Sequence, residues 1–333
     1  MRSLIALAVS LLAVAAAQAE PLKLRIQYAN LSTHLTAIVP LVPDGVMRHY
    51  GKSYTIEPVN MLGSTPALTA LAAKQLEFAA LGSQAFALAI SEAKLDVRAI
   101  AQVVTVSAPG RPSSSYWARK AEIRRVEDLK GKVVATNARG GTVHAGSLIY
   151  LKRHGLIEGR DYQTVEIRFP AMLPALVTGK ADLVFLVEPF DKAAERNPAL
   201  AKLFSAGDAI GPFETGFWVG NAPWIAANRA ALVDFCEDMI RFRRWTNDPK
   251  TAPAARALLS KLGKQPVEAY ANVFTATDTG YRDPNLILDV ANLQKNLRDL
   301  IDAGILTEAH NIAAKDYVDL SLAREAAARV AGR

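Results

Sequence analysis

Three points in the chain set glycine against hydroxyl or amide side chains where an apolar strand should give way to a helix. They are Gly63-Ser64-Thr65, Gly82-Ser83-Gln84 and Gly140-Gly141-Thr142-Val143. Glycine lets the backbone approach a ligand closely. The first turn of a helix offers free N–H groups and the positive end of its dipole, which together favour an anionic group. Serine and threonine add neutral donors. A fourth junction, Val187-Glu188-Pro189, carries a carboxylate instead. Any one of these reads as an ordinary helix cap. Four at strand ends point to a single cleft, because ligands in open α/β sheets bind beyond the carboxyl ends of the strands. Ser64, Thr65, Gly82, Ser83, Gln84, Gly141, Thr142 and Glu188 are the ligand-binding candidates this yields.

Charged and aromatic side chains join them with less support. His34 stands beside one predicted helix start and His144 just inside another; a lone histidine is as readily a structural one. Arg139 and Arg111 are placed to clamp a carboxylate or sulfonate, or else are solvated surface arginines. The expectation leans to direct contact for Arg139 and to solvent for Arg111. Glu188 either steadies its helix start or, turned inward, meets an amino group of the ligand. Phe213, with Tyr28, Phe190 and Phe217, offers a ring for stacking, although most aromatics in a chain of this size are core. No Ser-His-Asp order, paired-carboxylate motif or His-Glu-x-x-His spacing is present, so no catalytic residue, metal site or cofactor is expected.

The elements that must hold these residues alternate. Leu22–Tyr28, 53–60, 76–81 and 97–106 read as strands, with helices over 67–74 and 85–93. The rhythm restarts after a turn at 126–132, with strands over 133–136, 163–168 and 182–187 and helices beginning near His144 and Met172. Pro66 suits a first turn, where it has no N–H to lose, and Ser64 or Thr65 should cap that helix. Short apolar strands alternating with helices imply an α/β protein with largely parallel sheets. Beyond Trp218 the pattern turns helical, over 228–245, 252–262 and 285–300, with apolar faces that must pack back on the first part of the chain. Two crossings follow, near 107–116 and 211–220. The predicted organisation is lobe 1 from 20–110 plus 217–333 and lobe 2 from 111–216.

Residues 1–19 read as a signal peptide. Arg2 precedes an apolar run, and Ala17-Gln18-Ala19 is a small-x-small cleavage site. The run is shorter than the roughly 20 residues that span a bilayer, so export with cleavage after Ala19 and a periplasmic location are expected. The leader holds one basic residue, which leaves 38 basic against 32 acidic, a net charge of +6. That excess is dispersed, so nucleic acid is a poor partner, but it draws anions from a distance. Cys236 is the only cysteine and lies on a helical face with Leu232, Phe235 and Met239, so it should be a small buried hydrophobe.

These residues together resemble a known pattern. Asp128-Leu129-Lys130-Gly131-Lys132 running into Val133–Asn137, then Gly140–His144, Leu173–Asp182 and Glu188-Pro189, is similar to the second lobe of the sulfonate, taurine and nitrate receptors. Ala67–Gly82 is similar to the helix and strand ahead of the cleft in the first lobe. Departures occur at Arg139-Gly140-Gly141-Thr142, where Gly-Ser is common in the family, and at Glu77, where aspartate is common. The resemblance implies a two-lobed periplasmic binding protein of type II with a ligand cleft between the lobes. It also implies a small-molecule anionic ligand, sulfonate or aromatic or aliphatic carboxylate, a membrane permease of an ABC importer as partner, and a monomer. The alternatives are thiamine-precursor (pyrimidine) binding or synthesis on the same fold, or ligand sensing for a membrane signalling protein.

Overall fold

The computed structural model describes residues 20–332; the predicted signal peptide lies outside them. The first part of the chain forms β1 (Leu22–Tyr28), a short α1 (Leu31–His34), β2 (Tyr54–Asn60), α2 (Ser64–Ala72), β3 (Ala79–Leu81), α3 (Ser83–Ser91) and β4 (Val97–Val106). Then come β5 (Ser115–Arg119), β6 (Val133–Thr136), α4 (Thr142–Arg153), β7 (Gln163–Glu166), α5 (Phe169–Val177) and β8 (Leu183–Leu186). These lead into α6 (Phe190–Glu195), β9 (Leu200–Ser205) and α7 (Ala206–Ile210). The remainder is β10 (Phe213–Asn221), α8 (Ala222–Ala227), α9 (Arg229–Asn247), α10 (Ala252–Gly263), β11 (Gly280–Tyr281), α11 (Val290–Asp302) and α12 (Ser321–Ala331).

Two lobes result, with the same strand plan. In one, β1 pairs with β2 in parallel, and a bridge from Ile26 to Phe78 joins that pair to the sheet β3-β10-β4-β11. In the other the order is β7-β6-β8-β5-β9. The expectation of largely parallel sheets needs one refinement, because β10 and β5 run antiparallel to both their neighbours. Each of these strands enters its sheet directly after the chain has crossed from the other lobe, so no βαβ crossover sets its direction. Neither strand is legible from the repeat of strand and helix that reveals the others.

Apolar burial accounts for the arrangement. The second lobe has its own core, with Trp117, Leu129, Met172, Val184 and Leu186 at its centre. The late helices close on the first lobe as expected. Leu232, Phe235, Met239 and Ile240 of α9 and Leu322 and Val330 of α12 share a core with Leu24, Ile26 and Phe78. Each such side chain contributes about 1.5–3 kcal/mol on burial. Cys236 lies in this core, fully buried, and burial pushes its thiol up to about 12. Among the described residues no helix is long and apolar enough to cross a membrane.

Candidate functional site

The loops after the carboxyl ends of β1, β2, β6 and β8 enclose a cavity of about 90 Å³ between the lobes. A water-sized sphere needs about 10–15 Å³ by that measure, so the space admits a head group of a few heavy atoms. His34, Ser64, Gly141, Thr142 and Glu188 of the expected residues line it.

Three helices begin in or beside this space alike, α2 and α4 lining it and α3 starting just behind, with Gly82, Ser83 and Gln84 outside the lining. Gly63, Gly82 and Gly141 occupy the N-cap positions of α2, α3 and α4, and none of these ends has a side-chain cap. The expected capping by Ser64 or Thr65 does not occur, because both fall inside the first turn. Ser64 Oγ instead accepts from the Gly82 N–H at 3.1 Å, which leaves its own proton to donate. α2 belongs to one lobe and α4 to the other, and their N-terminal turns meet across the cavity. A Cβ on Gly82 would stand 2.8 Å from Thr142 Oγ1 and 3.8 Å from Ser64 Oγ, so hydroxyls from both lobes come within touching distance of one backbone point. Gly140 has a φ of +73°, which glycine adopts without strain, and this turn aims the start of α4 at the cleft.

Two side-chain amides complete the wall. Gln27 is fully buried; its Oε1 accepts from Ala80 N at 3.1 Å, which orients the amide and leaves Nε2 without a partner among the described residues. Asn137 donates from Nδ2 to the Leu62 carbonyl at 2.6 Å across the lobes, leaving Oδ1 unpartnered among the described residues. Buried polar groups are rarely left unpaired, and a ligand with both acceptor and donor atoms would satisfy these two.

The charges lining the cavity are held in check. Arg282 is spoken for by Asp278 Oδ2 at 2.8 Å and by the Ser32 carbonyl at 2.5 Å. Burial, with Arg282 close by, lowers His34 to about 4, so its ring is neutral at physiological pH. Burial, with Asp191 and Asp278 adding repulsion, pushes Glu188 up to about 8. Glu188 Oε1 accepts from Asn272 N at 3.2 Å, and in its protonated form the carboxyl is a neutral donor facing the cavity. Asp191, not Glu188, is the acid in the first turn of α6.

The remaining expected residues are placed around this site. Thr65 clasps the lobes, its hydroxyl donating to the Arg139 carbonyl at 2.5 Å. The Arg139 guanidinium turns away, to Glu158 at 2.6 Å and the Thr164 carbonyl at 2.6 Å, because α4 begins with its backbone rather than this side chain facing the cleft. His144 sits behind the same turn, accepting from Gly140 N and facing Glu158, with burial lowering its pKa. Ser83 is buried and donates to the Glu214 carbonyl. Gln84 lies near Gly140, with its Oε1 buried and unpartnered among the described residues. Phe213 and Phe217 are core residues, since β10 turns them into the sheet's packed face. Arg111 donates to the carbonyls of Thr275 and Asp278 beside the Tyr281 ring.

Sequence reasoning passed over Gln27, Asn30, Asn137, Asp278 and Arg282. Gln27 had a signal, being a polar residue at the carboxyl end of an alternating strand. Asn30 had one too, since it precedes Ser-Thr-His and caps α1. Nothing in the spacing marks Asp278 or Arg282, which reach the cleft only because β11 returns to the edge of the first sheet.

Comparison with known proteins agrees with this fold. Residues 57–239 match the family model described as NMT1/THI5 like. The chain belongs to that family. Among solved structures it is similar to the alkanesulfonate-binding protein SsuA of Xanthomonas axonopodis pv. citri bound to MOPS, with 16% identity and a TM-score of 0.69 over 90% of this chain and 99% of that one. It is similar too to the periplasmic nitrate-binding protein NrtA of Synechocystis PCC 6803, at 15% identity and a TM-score of 0.68, covering 93% and 89%. The zinc-bound ligand-binding component of an ABC-type import system from Staphylococcus aureus gives 16% identity and a TM-score of 0.71, covering 92% and 99%. Identities this low establish the fold, a periplasmic binding protein architecture. No curated protein matches the chain in sequence.

Proposed function

We propose that the mature protein is a solute receptor that captures a small organic anion, sulfonate or carboxylate, between its lobes and delivers it to the membrane permease of an ABC importer. The observation that carries this reading is the meeting of the α2 and α4 N-termini, from opposite lobes, on one cavity walled by neutral donors. Helix starts stabilise an anion without a matching cation, and the paired state of Arg282 makes that mode the relevant one. The structural neighbours named for sulfonate, nitrate and ABC-type import support the same role. With it go export by cleavage after Ala19, a periplasmic location, a monomeric state, lobes of 20–110 plus 217–333 and 111–216, and binding rather than catalysis.

A second reading has one observation in its favour. The unpartnered acceptor Asn137 Oδ1, with Glu188 nearby in the lining, also suits an amino-bearing heterocycle such as a pyrimidine. A thermal-shift screen of residues 20–333 against carboxylates, sulfonates, nitrate and pyrimidines separates the two. A ligand at 100 times its Kd adds about 2.7 kcal/mol to stability. Shifts with acids support the anion receptor, shifts with aminopyrimidines alone replace it, and no shift with any class contradicts both.

A further inference from the structure

A second space opens on the inner cavity. Ala29, Asn30 and Phe169 line both, so the two adjoin, and the outer groove measures about 340 Å³. Its walls come from both lobes, with Tyr28 and Tyr270 on one side and Phe169 and Phe190 on the other. Neither tyrosine hydroxyl has a hydrogen-bond partner among the described residues. At the rim stands Arg168, the residue before α5. Its Nη1 donates to Asn60 Oδ1 at 3.2 Å, and it forms no ion pair among the described residues.

We propose that the outer groove is a subsite for the distal part of the same solute, which is therefore an organic acid with an aromatic or long apolar body ending in a second anionic group. This rests on the anion-receptor reading above. A cavity of about 90 Å³ holds only a head group, and the adjoining groove offers its substituent aromatic faces from both lobes, where planar apolar bodies gain most. The unpaired guanidinium beyond those rings sets the charge of the far end, since arginine pairs bidentately with carboxylates. Aromatic contacts supplied by both lobes also make the body of the ligand part of what holds the lobes together.

The test is a set of head-matched acids titrated calorimetrically: propionate, 3-phenylpropionate and 3-(4-carboxyphenyl)propionate, with the corresponding sulfonates in parallel. The aromatic body should raise affinity roughly 10- to 100-fold over the short acid, the range expected from burying a ring. The distal carboxylate should add about two- to fivefold more, as for a partly exposed pair. Phe190→Ala should remove the first gain and Arg168→Gln the second, each with the affinity for the short acid unchanged, which also shows the variant to be folded. Equal affinity for all three acids overturns the subsite while leaving the receptor standing. Gains that survive both substitutions do the same. Failure of every acid to bind removes the receptor reading and the subsite with it.

Discussion

Gly63 of one lobe lies so close to Asn137 of the other that a Cβ on the glycine would stand 2.7 Å from the asparagine Nδ2 and 2.8 Å from the Ala138 Cβ. Both contacts reach across the cleft, to the second lobe. Gly63 has a φ of 173°, extended backbone that any residue adopts, so a methyl group there meets resistance only when the lobes are shut. The same closed arrangement is held by Thr65 on the Arg139 carbonyl, Ser32 on the Glu188 carbonyl at 2.7 Å, and Asn137 on the Leu62 carbonyl.

Gly63→Ala is accordingly expected to leave the stability of the unliganded protein within about 0.5 kcal/mol of wild type. It should weaken ligand binding about tenfold or more, because closure and binding are linked. Denaturant unfolding without ligand, set beside calorimetric titration, measures both. Equal losses in the two would assign Gly63 to folding rather than closure.

Glu188 predicts a pH dependence with a definite sign. Its carboxyl is raised to about 8 in the folded protein, whereas the unfolded chain loses that proton near the ordinary 4.5. Between those values the folded state holds more protons at this group, so the stability it contributes is fully present below about 4.5 and is lost as pH rises to about 8. The effect is of order a few kcal/mol. Glu214, raised to about 7 mainly by burial, acts in the same direction over a shorter window. Glu188→Gln should flatten the upper part of the stability curve and leave the Glu214 part in place. An unchanged profile between pH 7 and 8 would show that Glu188 is ionised in the fold.

Binding should follow the same titration. An anionic head meets a neutral donor when Glu188 is protonated and a like charge when it is not. Affinity for the screened acid should drop as pH rises through about 8, and Glu188→Gln should abolish the drop. A ligand whose affinity rises over that interval carries an amino group there instead.

Much of this was legible in the sequence, for identifiable reasons. Glycine followed by serine or threonine marks a strand-to-helix junction through local backbone chemistry, and Gly63-Ser64 and Gly141-Thr142 do line the cavity. The apolar faces of α9 and α11 likewise announced that the late helices fold back. What escaped depends on distant partners. Arg139 stands in the right loop, but its direction is set by Glu158, 19 residues on. Gln27 has a local signal, but the direction of its amide is set by Ala80, 53 residues on. The antiparallel strands β5 and β10 are defined by crossings between lobes, which no local period records.

Arg139→Ala separates the geometry from the sequence expectation. A guanidinium bound to Glu158 and half exposed should leave ligand affinity near wild type. Any effect should be confined to the on-rate and its salt dependence. A loss of about 2–5 kcal/mol would instead mean that Arg139 swings into the cleft as a direct partner.

The central claim is that an anionic head rests between the first turns of α2 and α4. The most direct measurement is calorimetric titration of the acid found by thermal shift into wild type, Ser64→Ala, Thr142→Ala and the double variant. Each single change should cost about 0.5–1.5 kcal/mol, the net worth of one neutral hydrogen bond. The double variant should lose more than either, with enthalpy reduced in step. Wild-type affinity in all three variants would contradict the account and place the ligand elsewhere.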